Sequence, residues 1–429
     1  MAANTDQEIA PLIENNDQPQ DLEIDIPKED YEPAPECCIY KVPSHFREAN
    51  KKAYTPQLIS IGPIHHGDTN LARMERQKQR YYNKFCQRTS KKTLEEFKSF
   101  IKAHVSGICR CYDIEFAFDH ELKGFNFEKM ILFDAIFIIE LFLRNFEEVN
   151  DDFLFSKVWL RAKLETDLLL LENQLPFFIL EALYNLAFVA SNYPSFFYLT
   201  CLYLRLEQDQ TFNKKGIKHF LDLTRSILVR TCPSNSDERT DRMYNATKLH
   251  EAGVKFKATG DVGDDYVLDD LLNVKFEEGV LQIPCFYVDY ETETWFRNLM
   301  AFEQCHYPKV PCFCSYIVLL DHLVETDKDV DLLIKKKILI NEMGSSAAVT
   351  TMINNLHTGV ASLSMCYDKL AKDLNEYYDN SWNRRCATLN HVYFNNLWRG
   401  TATVTAFIVV VLTLTQTVLA ILERAMPTK

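Results

Sequence analysis

Residues 400–422 read GTATVTAFIVVVLTLTQTVLAIL and carry no charge over 23 positions. As a helix this run extends about 34 Å at roughly 1.5 Å per residue, enough to cross the hydrocarbon core of a bilayer. Arg399 closes its near end, and Glu423 and Arg424 its far end. Tyr393, Phe394 and Trp398 precede it, as an interfacial aromatic belt does. Six threonines and Gln416 temper its hydrophobicity. Their hydroxyls can return hydrogen bonds to the helix's own backbone. The competing reading is a buried core helix, but no soluble helix expected in the chain runs so long without a charge.

Two further segments are very apolar, residues 127–146 (FEKMILFDAIFIIELFLRNF) and 164–190 (LETDLLLLENQLPFFILEALYNLAFVA). Asp134 and Glu140 interrupt the first; Glu172, Asn173, Gln174 and Glu181 interrupt the second. An Asp at a bilayer centre costs roughly 2.5–3.5 kcal/mol. These segments are therefore expected as core helices, apolar nearly all round, the second broken or kinked at Pro176. Glu140 has Arg144 one turn on as a structural partner.

The net charge of −13 is concentrated at one end. Residues 1–36 hold eleven acids against Lys28, a net −10, which leaves −3 for the other 393 residues. A segment so charged and so poor in aromatics is expected to stay disordered. The near-neutral remainder has no basic field to attract nucleic acid, so none is expected as a partner. Thirteen cysteines, an odd number without regular spacing, read as reduced thiols. The N-terminus has neither the basic start nor the apolar stretch of a secretory signal, which favours a cytosolic body. Arg384, Arg385 and Arg399 before the apolar run, against Arg424 and Lys429 beyond it, add only a small bias.

Between these ends the pattern is mainly helical. Leu71, Met74, Lys78, Tyr81, Tyr82 and Phe85 fall at helical spacing, as do Leu94, Phe97, Ile101 and Val105. Helices are expected from Thr292 through SYIVLLDHLV and DVDLLIKKKILI, and again where Leu370, Leu374, Tyr377 and Tyr378 share a face. Cys38–Val42 reads as a short strand stopped by Pro43. Residues 254–290 alternate apolar and polar side chains, with a hairpin signal at Glu277-Glu278-Gly279, and predict a small antiparallel sheet. The fold class is mainly α: an acidic tail (1–36), a large helical body (37–398) with a small β insert, a transmembrane helix (399–424) and a short tail (425–429).

Several groups could carry chemistry. His65 and His66 lie in Gly62-Pro63-Ile64-His65-His66-Gly67, where they could act as bases or ligands, although a glycine-capped turn explains them too. Asp134, Glu140 and Glu172 could form an acid/base set, but Asp134 and Glu140, six apart, do not share a helix face. Cys305, His306, Cys312 and Cys314 resemble a compressed zinc site whose spacing matches no common module. Asp261, Asp264 and Asp265 lack the glycine and ligand alternation of a calcium loop. Cys386 stands near the apolar run as a possible palmitoylation site. No nucleophile elbow, phosphate loop, HExxH or GxGxxG is present. No catalytic residue, cofactor or metal is assigned.

Several long segments in order carry a family resemblance. They are YKVPSHFREANKKAYTPQLISIGPIHHGD (40–68), DAIFIIELFLR (134–144), DLLLLENQLPFFILEALY (167–184), ATKLHEAGVKFK (246–257), VLQIPCFYVDYETETWFRNLMAFEQC (280–305) and LTLTQT (412–417). Over about residues 37–422 the chain resembles the plant domain of unknown function 247 family. Ile64 stands where the family usually has an aromatic residue, and Ala135-Ile136 where it often has Gly-Cys. The resemblance implies a plant protein, a mainly helical fold and a single C-terminal membrane helix. It supplies no agreed catalytic residues, and grass relatives implicated in pollen–stigma self-incompatibility imply recognition. The expected function is a membrane-anchored recognition or signalling component with an unidentified protein partner, anchored through Gly400 to Leu422. The plasma membrane is the expected site. The alternatives are a membrane-surface enzyme using His65, His66, Asp134 or Glu172, and a purely structural tether.

Overall fold

A computed structural model describes residues 33–425 apart from 114–125, 150, 189–191, 208–211, 235–239, 241, 261–269, 357, 359–365, 386 and 388–396. The expected disordered tail lies outside the described residues up to position 32. Asp261, Asp264, Asp265, Cys386, Tyr393 and Phe394 also lie outside them.

The organising helix of the N-terminal half is α4 (Phe127–Phe146). Asn126 caps it by accepting the Lys129 N–H. From Met130 to Arg144 all but one of its side chains are buried, as expected of a segment apolar on every face. Around it pack α2 (Ala72–Arg88), α3 (Lys91–Cys109), α6 (Phe177–Phe188) and α7 (Phe196–Leu204). Ser90 caps α3 through the Thr93 N–H. The stripe on α2 is buried as its spacing requires, Lys78 included beside Met74, Tyr81 and Phe85.

A second core gathers on α10 (Thr292–His306), against which lie α11 (Cys312–Leu323), α13 (Ser346–Leu356) and the turn Lys51–Tyr54. Helix α8 (Phe220–Leu228) belongs to both cores. Phe220, Leu223 and Ile227 enter the first, and Leu221 and Leu228 the second. The short helices α1 (Ser44–Ala49), α5 (Val158–Asp167), α9 (Ala246–Glu251), α12 (Asp327–Lys335) and α14 (Asp368–Asp379) complete the body. On α14, Leu374 is buried and Tyr377 and Tyr378 pack against the second core.

The sheet elements are small and follow the hairpin signal. Strands β2 (Lys275–Glu277) and β3 (Val280–Pro284) pair antiparallel, Phe276 facing Leu281. Glu278 and Gly279 turn with φ of 50° and 76°, the two positive angles of a two-residue hairpin. β1 (Lys255–Thr259) lies on the other side of β3 and runs parallel to it, so this sheet is mixed. β4 (Phe286–Val288) pairs in parallel with β5 (Leu339–Asn341).

Three local expectations change. Leu339–Asn341 is a strand, because the chain leaves α12 through Lys337 at φ 59° and pairs with β4. Cys38–Val42 forms a single bridge, Ile39 to Tyr112, and no strand. The Glu172 carboxylate accepts the Val42 N–H at 2.7 Å, so that donor is not available to a ladder. The break at Pro176 extends over residues 168–176, which are non-helical between α5 and α6. At the C-terminus α15 (Leu397–Ala425) contains the stretch Val404–Leu422, apolar and long enough to span a membrane, with none of it buried against the body.

Candidate functional site

The non-helical stretch 168–176 ends at a proline. Pro176 has no N–H and pushes the preceding residue out of the helical region. The freed backbone groups then need other partners, and the side chains of this stretch and its flanks supply them. Gln174 donates to the carbonyls of Leu168 and Leu170, and its own oxygen accepts the Phe220 N–H. Asn173 donates to the carbonyls of Asp167 and Ile59 and accepts the Ile61 N–H at 2.7 Å. Asp167 accepts three successive N–H groups, from Gln57, Leu58 and Ile59, at 2.7–3.0 Å. Side chains of one segment thus bond the backbone of another where a sheet would use backbone alone.

This clasp fixes the turn that holds the two histidines. Gly62 has φ of +72°, and a Cβ there would stand 2.6 Å from the Gln174 carbonyl oxygen, so only glycine fits without displacement. The Gly62 N–H donates to Asp134 Oδ2 at 2.9 Å. The other oxygen of Asp134 faces the Lys78 ammonium at 2.6 Å, and Lys78 also meets Glu75 at 2.6 Å. Burial pushes Asp134 up to about 6, with Lys78 and the Gly62 N–H pulling the other way. Burial alone would lower the Lys78 ammonium; Asp134 and Glu75 outweigh it and hold it above its ordinary value. Lys78 is thereby held in its charged form.

Glu172 is the second hub. His65 Nε2 lies 3.0 Å from one carboxylate oxygen, while Arg47 and the Val42 N–H bond the other. Burial acts to raise this carboxyl, and His65, Arg47 and Val42 together overcome it and hold it below its ordinary value. Glu140 meets its expected partner Arg144 at 2.7 Å and is met from α2 by Arg88 at 2.8 Å. Arg144 continues to Asp152, which also accepts the Tyr81 hydroxyl.

The sequence candidates therefore separate into two pairs. His65 sits with Glu172. His66 lines a cavity of about 400 Å³ with Glu75, Asn126, Lys129, Phe133 and Asp134. Among the described residues its lining offers acid/base groups in His66, Glu75, Lys129 and Asp134, and no Ser, Thr or Cys. Burial holds the His66 imidazole below its usual value, with Glu75 acting the other way.

The compressed zinc pattern does not assemble. His306 Nδ1 lies 2.8 Å from the Tyr40 hydroxyl, and its ring stacks on Phe302. The Cys314 thiol points at the Met300 carbonyl at 3.7 Å. Cys312 instead meets Cys366 and Cys232, residues far away in sequence. Sequence reasoning missed this cluster and the partner of Asp134. A lysine on an otherwise apolar helical stripe was the available signal for the latter; no local spacing announces the former.

The geometry defines a helical body stitched by buried ion pairs and side-chain-to-backbone bonds, with an exposed apolar helix at its end. The plant family described as DUF247, plant protein of unknown function, matches residues 39–412, and the chain belongs to it. Among curated proteins it is similar to UPF0481 protein At3g47200 of Arabidopsis thaliana. That match is 28% identical over 423 residues, covering 90% of this chain and 87% of the relative. A putative UPF0481 protein of the same plant, At3g02645, is 28% identical over 233 residues, 52% of this chain and 41% of the relative. No solved structure matches.

Proposed function

We propose that this chain is a membrane-anchored recognition or signalling component, with α15 in the plasma membrane, the body on the cytosolic side and another protein as its partner. The carrying observation is a contrast between the inside and the outside of the body. Asp134, Glu140 and Glu172 are each taken up by partners within the fold, as an architectural group requires. Val158 and Trp159, by contrast, stand 85% and 62% exposed. Val158 is on the wall of an open groove of about 440 Å³, with Leu169, Leu204, Phe286 and Trp295 along it. An aromatic beside an apolar groove is the kind of surface on which apolar side chains of a protein partner gain most by desolvation. The cavity shared by His66 and Asp134 is the observation that favours the enzyme alternative.

Two sets of substitutions in the full-length protein, expressed in plant membranes, separate these readings. Val158→Asp with Trp159→Ala should leave the melting temperature unchanged and remove specific photo-crosslinks formed from a probe placed at position 162 of the groove. Asp134→Ala and Glu172→Ala should lower the melting temperature and expression, and His66→Ala should do so more mildly. If the surface pair changes no crosslink, while the three buried variants melt like the parent yet abolish the biological effect, the enzyme reading takes its place.

A further inference from the structure

Three cysteines from distant parts of the chain converge on one point. Cys232 follows the turn Val229–Thr231 that ends α8, Cys312 is the first residue of α11, and Cys366 lies just before α14. Their sulfur atoms all lie within 4.8 Å of one another, with Cys312 and Cys366 at 3.7 Å. Among the described residues this is the one group of three or more His, Cys, Asp or Glu whose donor atoms come together in this way.

The spacing suits a metal. A zinc–sulfur bond of about 2.3 Å at tetrahedral angles puts neighbouring sulfurs about 3.8 Å apart, and a trigonal arrangement only slightly further. Cys312 is at the N-terminus of a twelve-residue helix, where the backbone dipole stabilises negative charge. The Ser315 hydroxyl accepts the Cys366 N–H at 3.3 Å and donates to the Pro311 carbonyl at 2.7 Å, tying the Cys366 segment to the start of α11. Glu303 accepts the Cys314 N–H and so fixes the same helix end, and Arg225 pairs with Glu303 at 2.8 Å. An entry path exists as well. Cys232 and Cys312 line a surface groove of about 530 Å³ beside Arg225, Tyr307 and Val310. The plain alternative is that three protonated thiols pack as small apolar groups. Packing alone does not require donors drawn from three segments to converge at the wall of an open groove.

We propose that Cys232, Cys312 and Cys366 form a three-thiolate site for a thiophilic metal cation, zinc(II) or copper(I). Three sulfur donors suit both ions, and with zinc one tetrahedral position remains for a ligand from the groove. The bound ion staples the end of α8, the start of α11 and the approach to α14.

The test uses full-length protein in detergent, reduced by a phosphine and stripped of metal. Cobalt(II), zinc(II) and, with a competing chelator, copper(I) are each titrated. The expected result is stoichiometric uptake, a sulfur-to-cobalt charge-transfer band that zinc abolishes, and a rise in melting temperature on loading. Cys232→Ser, Cys312→Ser and Cys366→Ser should each lose the band and the rise, while Cys86→Ser and Cys305→Ser keep both. Alkylation of the unsubstituted protein followed by mass spectrometry covers the case in which a variant misfolds. Metal should shield Cys232, Cys312 and Cys366 and leave Cys86 and Cys305 as reactive as before. No uptake of any of the three ions, a band that survives in all three cluster variants, or alkylation of the cluster indifferent to metal overturns the proposal.

Discussion

Lys78 has no exposed surface, yet its ammonium is charged because Asp134 and Glu75 both lie 2.6 Å away. Removing one member of such a pair costs more than the pair contributes, since the other charge stays buried. Asp134→Ala should therefore destabilise the body by about 3–5 kcal/mol, while a Lys78→Met, Asp134→Leu double variant should recover much of that loss; denaturant melts of the three proteins decide it. Glu172 leads to a pH prediction. Its carboxyl is held below its ordinary value, so the stability it contributes is complete above the unfolded value of 4.5 and is lost as pH falls through the depressed one. Glu172→Gln has no proton to gain. It should lose stability at neutral pH and show a shallower fall than the parent as pH drops below the ordinary value of 4.5. Equal acid-side slopes for the two proteins would remove Glu172 from this account. At this scale the sequence was readable only where partners are close along the chain. Glu140 and Arg144 are four apart on a helix, and the pairing follows. Asp134 and Lys78, or Glu172 and Arg47, meet only after two elements have docked.

The segment from Gln57 to Gly67 is an element held by another element's side chains. Its backbone donors go to Asp167, Asn173 and Asp134, so its conformation depends on the break at Pro176. Gly62→Ala should be severe, because it adds a 2.6 Å clash with the Gln174 carbonyl to the strain of a positive φ. Gly67→Ala is the matched control: its φ is +86°, but a Cβ there meets nothing within 4 Å. The control should cost about 1 kcal/mol from strain alone and Gly62→Ala at least twice that; similar thermal shifts for the two would argue that the clasp is soft. Helix α4 was legible in its bounds, since residues 127–146 are apolar nearly all round despite Asp134 and Glu140. The β2–β3 hairpin was legible from Glu278-Gly279. Strand β5 was not, because Leu339 and Ile340 continue the apolar pattern of α12, and only pairing with β4 decides their state. The parallel placement of β1 was hidden for the same reason, as register between strands far apart is a tertiary fact.

At the scale of the whole molecule, the two cores and their shared helix α8 could not be read from the chain, because every apolar run looks alike until it is packed. The apolar end was readable because it differs in kind. Val404–Leu422 is the one helix, among the described residues, long and apolar enough to cross a membrane. Three of its threonines bond back to the helix itself. The Thr413, Thr415 and Thr417 hydroxyls donate to the carbonyls of Val409, Val411 and Thr413 at 2.7–2.8 Å, which leaves little that lipid would fail to solvate. None of the stretch is buried against the body, so in water its Phe407, Ile408, Leu412, Leu414 and Leu419 side chains would remain largely exposed. A surface of this length and apolarity is one that a bilayer could cover, and the proposed anchoring rests on it. The body, in turn, buries its cores without help from α15. Deleting residues 397–429 should therefore move the protein from the membrane pellet to the supernatant while leaving the melting temperature of the body unchanged. A single Val411→Lys substitution places a charge near the middle of the span at a cost of about 2.5–3.5 kcal/mol, and should weaken membrane retention without unfolding the body. A truncated protein that still resists extraction by alkaline carbonate would mean that the body itself enters the lipid. A truncated protein that melts many degrees lower would mean that α15 is part of the core.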